Sequence, residues 1–179
     1  MCDNGENMEK WDILNAEGIP TGKTTLRGRC NLKSGEYHLV VHIWVVSSKG
    51  CFLIQRRSDT KRLMPGEWAA TGGAAVSGES SYTAANRELF EELGIPSNKQ
   101  NLKKLVRIRR RNSLLDIWMI NTDVPTEKLR LQESEVAEAK WVSRYELEKM
   151  IADGQFHNYG KEYFGTLFSK IDELEGATV

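Results

Sequence analysis

Residues 73 to 95 read GAAVSGESSYTAANRELFEELGI, and the fold and chemistry of this chain turn on that stretch. Glu88, Glu91 and Glu92 stand at i, i+3 and i+4 of a predicted helix, so they share one face. Like charges at that spacing repel by roughly a few tenths of a kcal/mol per pair. A helix that only supports a fold gains nothing by stacking them, whereas a hard divalent cation seeking oxygen ligands gains a great deal. A glycine-rich loop leads in, Ser80 or Ser81 can cap the helix, and Gly94 with Pro96 ends it. Tyr82, Ala85, Leu89 and Leu93 form an apolar stripe beside the acids. The helix can therefore dock on a sheet and still show its carboxylates to a cleft. The Arg87–Glu91 spacing is also what an ordinary solvated helix carries.

The full spacing is G-x5-E-x7-R-E-U-x-E-E-x-G-U, with U an aliphatic residue. Gly73, Glu79, Arg87, Glu88, Leu89, Glu91, Glu92, Gly94 and Ile95 fill every fixed position. In this the chain resembles the Nudix hydrolases, the MutT-like proteins. The flanks add to the likeness, with strands before and after and Trp141-Val142 leading into a late helix. The resemblance implies an α/β fold, an α/β/α sandwich with a mixed sheet, here preceded by an N-terminal β-hairpin extension. It implies cleavage of the diphosphate linkage in a nucleoside diphosphate joined to another group. It also implies a metal contact from the Gly73 carbonyl and a general base that is either Glu88 or an acid of a later loop. Glu133, Glu135 and Glu138 in LQESEVAEAK are available, Glu135 best by its register ahead of Trp141; a plain acidic surface is the other reading.

The residues themselves point to a matching chemistry. Diphosphates are polyanions, so a site must offset charge, position water and remove its proton. Oxygen ligands favour Mg2+ or Mn2+ over zinc, which makes Glu88, Glu91 and Glu92 the candidate metal ligands, with the Gly73 carbonyl joining them as the resemblance implies. Arg87 is expected to orient a glutamate through a charge-assisted hydrogen bond, and Glu79 to organise the junction of loop and helix, an outer role at the metal being the alternative. Arg56, Arg57, Lys61 and Arg62 are the candidate phosphate contacts, arginine for its planar donor fork. Arg107, Arg109, Arg110 and Arg111 read as a solvated strand face and turn. His38 and His42 fall on one strand face and read as packed side chains rather than a shared metal site.

The chain has 179 residues, a formal net charge of zero and 40% hydrophobic residues, and its sequence pI is about 6.8. That suits one domain with a short appended piece, here a hairpin extension over 1–34 and a main domain over 35–179. Neutral charge gives no reason to expect nucleic acid or an anionic membrane as partner. Cys2, Cys30 and Cys51 are an odd, scattered set, which fits a reducing cytoplasm. The polar N-terminus predicts no secretory leader.

Trp11–Asn15 and Ile19–Leu26 read as the hairpin. Tyr37–Ser47, Cys51–Arg57, Leu102–Arg109, Leu114–Asn121 and Ala139–Val142 read as strands, and Trp68–Val76 as a short apolar stretch. Arg144–Ala152 and Tyr159–Leu174 read as helices. Trp44, Trp68, Tyr82, Phe90 and Trp118 are expected in the core. The hairpin is a candidate element for homodimer formation.

A rival lies within the resemblance. QRRSDTKRLMPGEW is similar to isopentenyl-diphosphate isomerases at Gln55, Arg56, Arg57, Ser58, Lys61, Pro65, Gly66 and Trp68. That branch uses a cysteine shortly after the tryptophan, with a histidine nearby. Between Trp68 and Glu79 this chain has neither, so the hydrolase reading is preferred. A non-catalytic nucleotide-binding domain is the third reading. The paired glutamates and the lack of a basic recognition helix speak against it.

Overall fold

The structure, a computed structural model, describes residues 9–27 and 32–176. Cys2 and Cys30 lie outside the described residues; Cys51 is a free thiol. The hairpin consists of β1 (Lys10–Leu14) and β2 (Pro20–Leu26), which pair antiparallel. The main sheet contains β3 (His38–Val46), β4 (Phe52–Arg57), β5 (Trp68–Ala69), β6 (Thr71–Ala74), β7 (Leu102–Arg109), β8 (Ser113–Asn121) and β9 (Val136–Val142). The helices are α1 (Ser81–Leu93), α2 (Arg144–Ala152) and α3 (Lys161–Gly176).

β3 is the axis of the sheet. It lies parallel to β8 along its whole length, and both are almost wholly buried, as strands covered on two faces must be. Alternate side chains go to opposite sides. Val41, Ile43 and Val45 pack toward Ala84, Ala85, Leu89 and Leu93 of α1. Trp44 and Val46 pack with Leu115, Ile117, Leu147, Phe164 and Leu167 under α2 and α3. The two cores make this the expected layered α/β/α arrangement with a mixed sheet.

One irregularity positions the site. β3 and β4 share only the pairs Val45↔Leu53 and Val46↔Phe52. β9 pairs with β4 along its whole length, but beyond Leu53 the place of β3 is taken by β5, while β6 pairs with β3 at Val40–Ile43. Gly72 makes this possible. Its φ is +155°, and a Cβ there would sit 2.1 Å from the Val41 carbonyl oxygen. Only glycine fits that close approach.

Several expectations are corrected. Trp68–Val76 is two short strands, because the chain changes partner from β4 to β3 around Ala70. The last strand begins at Val136, extended by its pairing with β4. Phe90 is 57% exposed rather than in the core, because it faces away from the stripe that docks α1. Arg107 is not merely solvated. It makes a two-pronged bond to Asp116 at 2.6 and 2.8 Å, and Lys104 adds a third contact at 2.7 Å. Burial pushes the Asp116 carboxyl up, but these donors outweigh it and hold it below the usual range. His38 stacks on Trp11, and His42 bonds the Tyr163 hydroxyl at 2.9 Å, so both histidines are packed.

Candidate active site

α1 starts where Ser80 accepts from the Thr83 amide, and it stops at Gly94, whose left-handed φ of 69° lets its amide reach the Phe90 carbonyl. Its polar edge is organised by Arg87. The Arg87 guanidinium donates to both oxygens of Glu79 at 2.7 and 3.0 Å. It also donates to Glu88 at 2.9 Å, to Glu91 at 3.1 Å and to the Ala74 carbonyl at 3.3 Å. The bond to Glu79, ahead of the charges around it, raises the arginine's already high pKa. Burial pushes Glu79 up, but Arg87 and the Val76 amide outweigh it and hold the carboxyl below its ordinary value.

Glu92 lies deeper. It is 3% exposed, and its Oε2 accepts from Gln55 Nε2 at 2.9 Å and from the Gly72 amide at 3.1 Å. Thr71 donates to the Gln55 Oε1 at 3.1 Å, which fixes the amide's orientation. Burial first, then the charge of Glu88, pushes Glu92 from 4.5 up to about 8. Burial likewise raises Glu88, against the pull of Arg87. Gly73 brings its backbone against Glu88: a Cβ there would lie 2.4 Å from Glu88 Oε1.

The three acids of the helix face are therefore held differently. Glu91 is half exposed and turned to Arg87, Glu88 is shared with Arg87, and Glu92 faces β4 and β6. Among the described residues no three His, Cys, Asp or Glu side chains converge as a ready cage for a metal ion. The donor set still fits a hard divalent cation. It is made of oxygens, and it contains a buried carboxylate that burial and a second carboxylate disfavour as an anion.

The basic residues stand opposite an acidic loop. Lys61 pairs with Glu135 at 2.6 Å. Arg56 lies 3.2 Å from Asp59 and 3.6 Å from Glu138. Arg57 Nε donates to the Leu63 carbonyl, and Arg62 is exposed. Glu135 is brought toward the glutamates because its loop caps α1: the Arg130 amide donates to the Leu93 carbonyl and the Gln132 amide to the Glu92 carbonyl. Glu133 is exposed.

Gln55, Thr71 and the Gly72 amide were not among the candidates, although they orient Glu92. The signal was available in FLIQRR, where a polar amide occupies an inward position of a strongly apolar strand.

The NUDIX domain model matches residues 36–160 of this chain. An uncharacterized Nudix hydrolase of Listeria monocytogenes is 40% identical over 153 residues, covering 85% of this chain and 90% of its own length. The isopentenyl-diphosphate Delta-isomerase of Escherichia coli is 34% identical over 84 residues, 46% of each chain. The crystal structure of DR0079 from Deinococcus radiodurans shares the fold with a TM-score of 0.69 at 24% identity, over 83% of this chain and 91% of that one.

Proposed function

The chain belongs to the Nudix family, and from that premise we propose that it is a Mg2+- or Mn2+-dependent pyrophosphohydrolase. Its substrate would be a nucleoside diphosphate joined to another group, cleaved at the diphosphate linkage. The observation that carries this reading is Glu92, a carboxylate 3% exposed with the charge of Glu88 beside it. Burying one acid next to another costs stability unless a cation joins them.

Glu88, Glu91, Glu92 and the Gly73 carbonyl would hold the ion. When bound, it would offset the charge of the diphosphate and acidify an attacking water. Arg87 keeps Glu88 and Glu91 oriented, while Gln55 and the Gly72 amide orient Glu92. Glu88 or Glu135 accepts the proton of the attacking water. Arg56, Arg57, Lys61 and Arg62 receive the phosphates, and Lys61 and Arg56 exchange their carboxylate partners for substrate oxygens.

The test is release of phosphate-containing products from a panel of dinucleotides, nucleotide sugars and nucleoside triphosphates. Mg2+ should switch on cleavage of at least one, and excess EDTA should abolish it. Full activity in EDTA would overturn the metal assignment.

The partial likeness to the isomerase favours a second reading, protonation of an alkene. Carbon is a poor proton acceptor and needs a positioned acid. Among the described residues the one thiol, Cys51, lies at the β3–β4 turn, where its amide donates to Ser47 Oγ. It is four residues from Gln55 along an extended strand, roughly 13 Å. The hydrolase reading is therefore preferred.

A further inference from the structure

The matched domain begins at residue 36, yet the hairpin before it is bonded directly to the loop that carries Glu79. The Ser77 amide donates to the Lys10 carbonyl at 2.7 Å. Asp12 accepts twice more: Ser77 Oγ donates to Oδ1 at 2.6 Å, and the Gly78 amide to Oδ2 at 2.8 Å. Each carboxylate oxygen thus has its own donor on the loop. The next residue is Glu79, whose Oε2 accepts from the Val76 amide at 2.9 Å and whose two oxygens grip Arg87. Contacts run unbroken from Asp12 through Ser77 and Gly78 to Glu79, then to Arg87, Glu88 and Glu91.

The hairpin is firmly seated at the other positions of β1. Trp11 stacks on His38 with centroids 4.4 Å apart and planes 9° from parallel. Leu14 and Tyr37 exchange two backbone hydrogen bonds at 2.8 and 2.9 Å. The loop, in contrast, borders an open cleft of about 420 Å³, lined by Asp12, Leu14, Val76, Glu79, Ser80 and Arg107 among others. A loop exposed beside an open cleft is held by its hydrogen bonds more than by packing.

We propose that Asp12 is a positioning residue of the active site, fixing loop 76–79 so that Glu79 and Arg87 present Glu88 and Glu91 to the metal. This deepens the proposed function and rests on its metal site. A residue that merely docked the hairpin would affect stability and leave metal binding alone.

The experiment measures Mn2+ binding to substrate-free protein by calorimetry, amide exchange at residues 77–79, and kcat and KM on the best substrate. The variants are Asp12→Ala, Asp12→Asn and Thr21→Ala, with Glu92→Gln as the reference for the metal site. Thr21→Ala removes a bond inside the hairpin, from Thr21 Oγ1 to the Ile13 carbonyl at 2.8 Å. Asp12→Ala should weaken Mn2+ binding and lower kcat by roughly tenfold each, the low end of what losing a direct partner of a ligand costs, since Asp12 acts through Glu79 and Arg87. KM should stay within about twofold, and exchange at the loop should quicken. Asp12→Asn, which keeps the shape and can still accept one loop donor, should recover part of both losses, and it carries the test if the alanine variant does not fold. Thr21→Ala should change neither Mn2+ binding nor kcat.

Unchanged Mn2+ binding and kcat in Asp12→Ala, with Glu92→Gln impaired, would overturn the Asp12 proposal alone. Equal losses in Thr21→Ala would also overturn it, by showing that any loosening of the hairpin suffices. Unchanged Mn2+ binding in Glu92→Gln would instead overturn the metal site itself.

Discussion

Glu92→Gln should move stability and activity in opposite directions. Both hydrogen bonds that the Glu92 side chain accepts land on Oε2. A glutamine amide oxygen at that position keeps both, so the shape of the site survives. What changes is the charge. Burial pushes the Glu92 carboxyl from 4.5 up to about 8. Between those values the metal-free folded protein binds a proton that the unfolded chain does not. Stability is therefore full below pH 4.5, falls as pH rises through the window, and levels off above about pH 8. At pH 7 the cost is at most about 3 kcal/mol, at 1.36 kcal/mol per unit. With its pKa near 8 the folded wild-type carboxyl is mostly protonated at pH 7, so its hydrogen bonds there are already neutral and glutamine gives none of them up. The metal-free variant should therefore be more stable than wild type by up to about 3 kcal/mol at pH 7, or roughly 6–12 °C in Tm for a chain of this size. Thermal unfolding in EDTA at pH 5 and pH 8 measures this, and the advantage should largely vanish at pH 5. Turnover with Mg2+ should fall at least about a hundredfold, the scale of a ligand or acid–base group. A variant that melts lower than wild type in EDTA at pH 8, or that keeps near wild-type turnover, refutes the reasoning.

His42 supplies a second pH effect of opposite sign. Burial, then the charges of Arg110 and His157, lowers it from 6.5 to about 3. Its contribution is present above pH 6.5 and is lost as pH falls toward 3, about 2 kcal/mol by pH 5. His42→Asn should shift the pH 7-to-5 change of stability in urea titrations by about that amount in favour of pH 5, and an unaltered pH dependence would count against the assignment. Lys61→Met should raise KM about tenfold or more with a smaller change in kcat, since a charge-assisted bond to phosphate is worth about 1.5–3 kcal/mol; an unchanged KM would remove Lys61 from the phosphate site. Isopentenyl diphosphate incubated with enzyme and Mg2+ in heavy water should gain no carbon-bound deuterium, and incorporation that disappears in Cys51→Ala would favour the isomerase reading.

The sequence made some of this site legible because its rules are local. Helix spacing puts Glu88, Glu91 and Glu92 on one face whatever surrounds them, and Ser80 and Gly94 bound that helix by local backbone chemistry. Runs rich in Val, Ile, Leu and Trp between turn residues revealed β3, β4, β7 and β8 for the same reason. What stayed hidden depends on which strands become neighbours. That Glu92 is buried follows from β4 leaving β3 after two residue pairs, which brings Gln55 and Gly72 onto one carboxylate. No spacing in the chain announces that divergence. The same holds for Lys61 and Glu135, 74 residues apart and joined because the acidic loop caps the far end of α1.

Shared faces also say nothing about shared purpose. The acids at 88, 91 and 92 read as equivalent, yet α1 lies between a polar edge and a closed interior. Glu91, on the open side, is held by Arg87 at 3.1 Å and is half exposed. Glu92, one residue on, is buried and turned to Gln55 of β4 and the Gly72 amide of β6. The rotation of about 100° between consecutive helical residues is enough to give Glu91 and Glu92 different surroundings. Removing Glu91 should therefore disturb the orientation of Arg87, whereas removing Glu92 alters the charge of a buried site. The loss of Glu92 should carry a pH dependence of its own, because that carboxyl couples metal-free stability to pH between 4.5 and about 8.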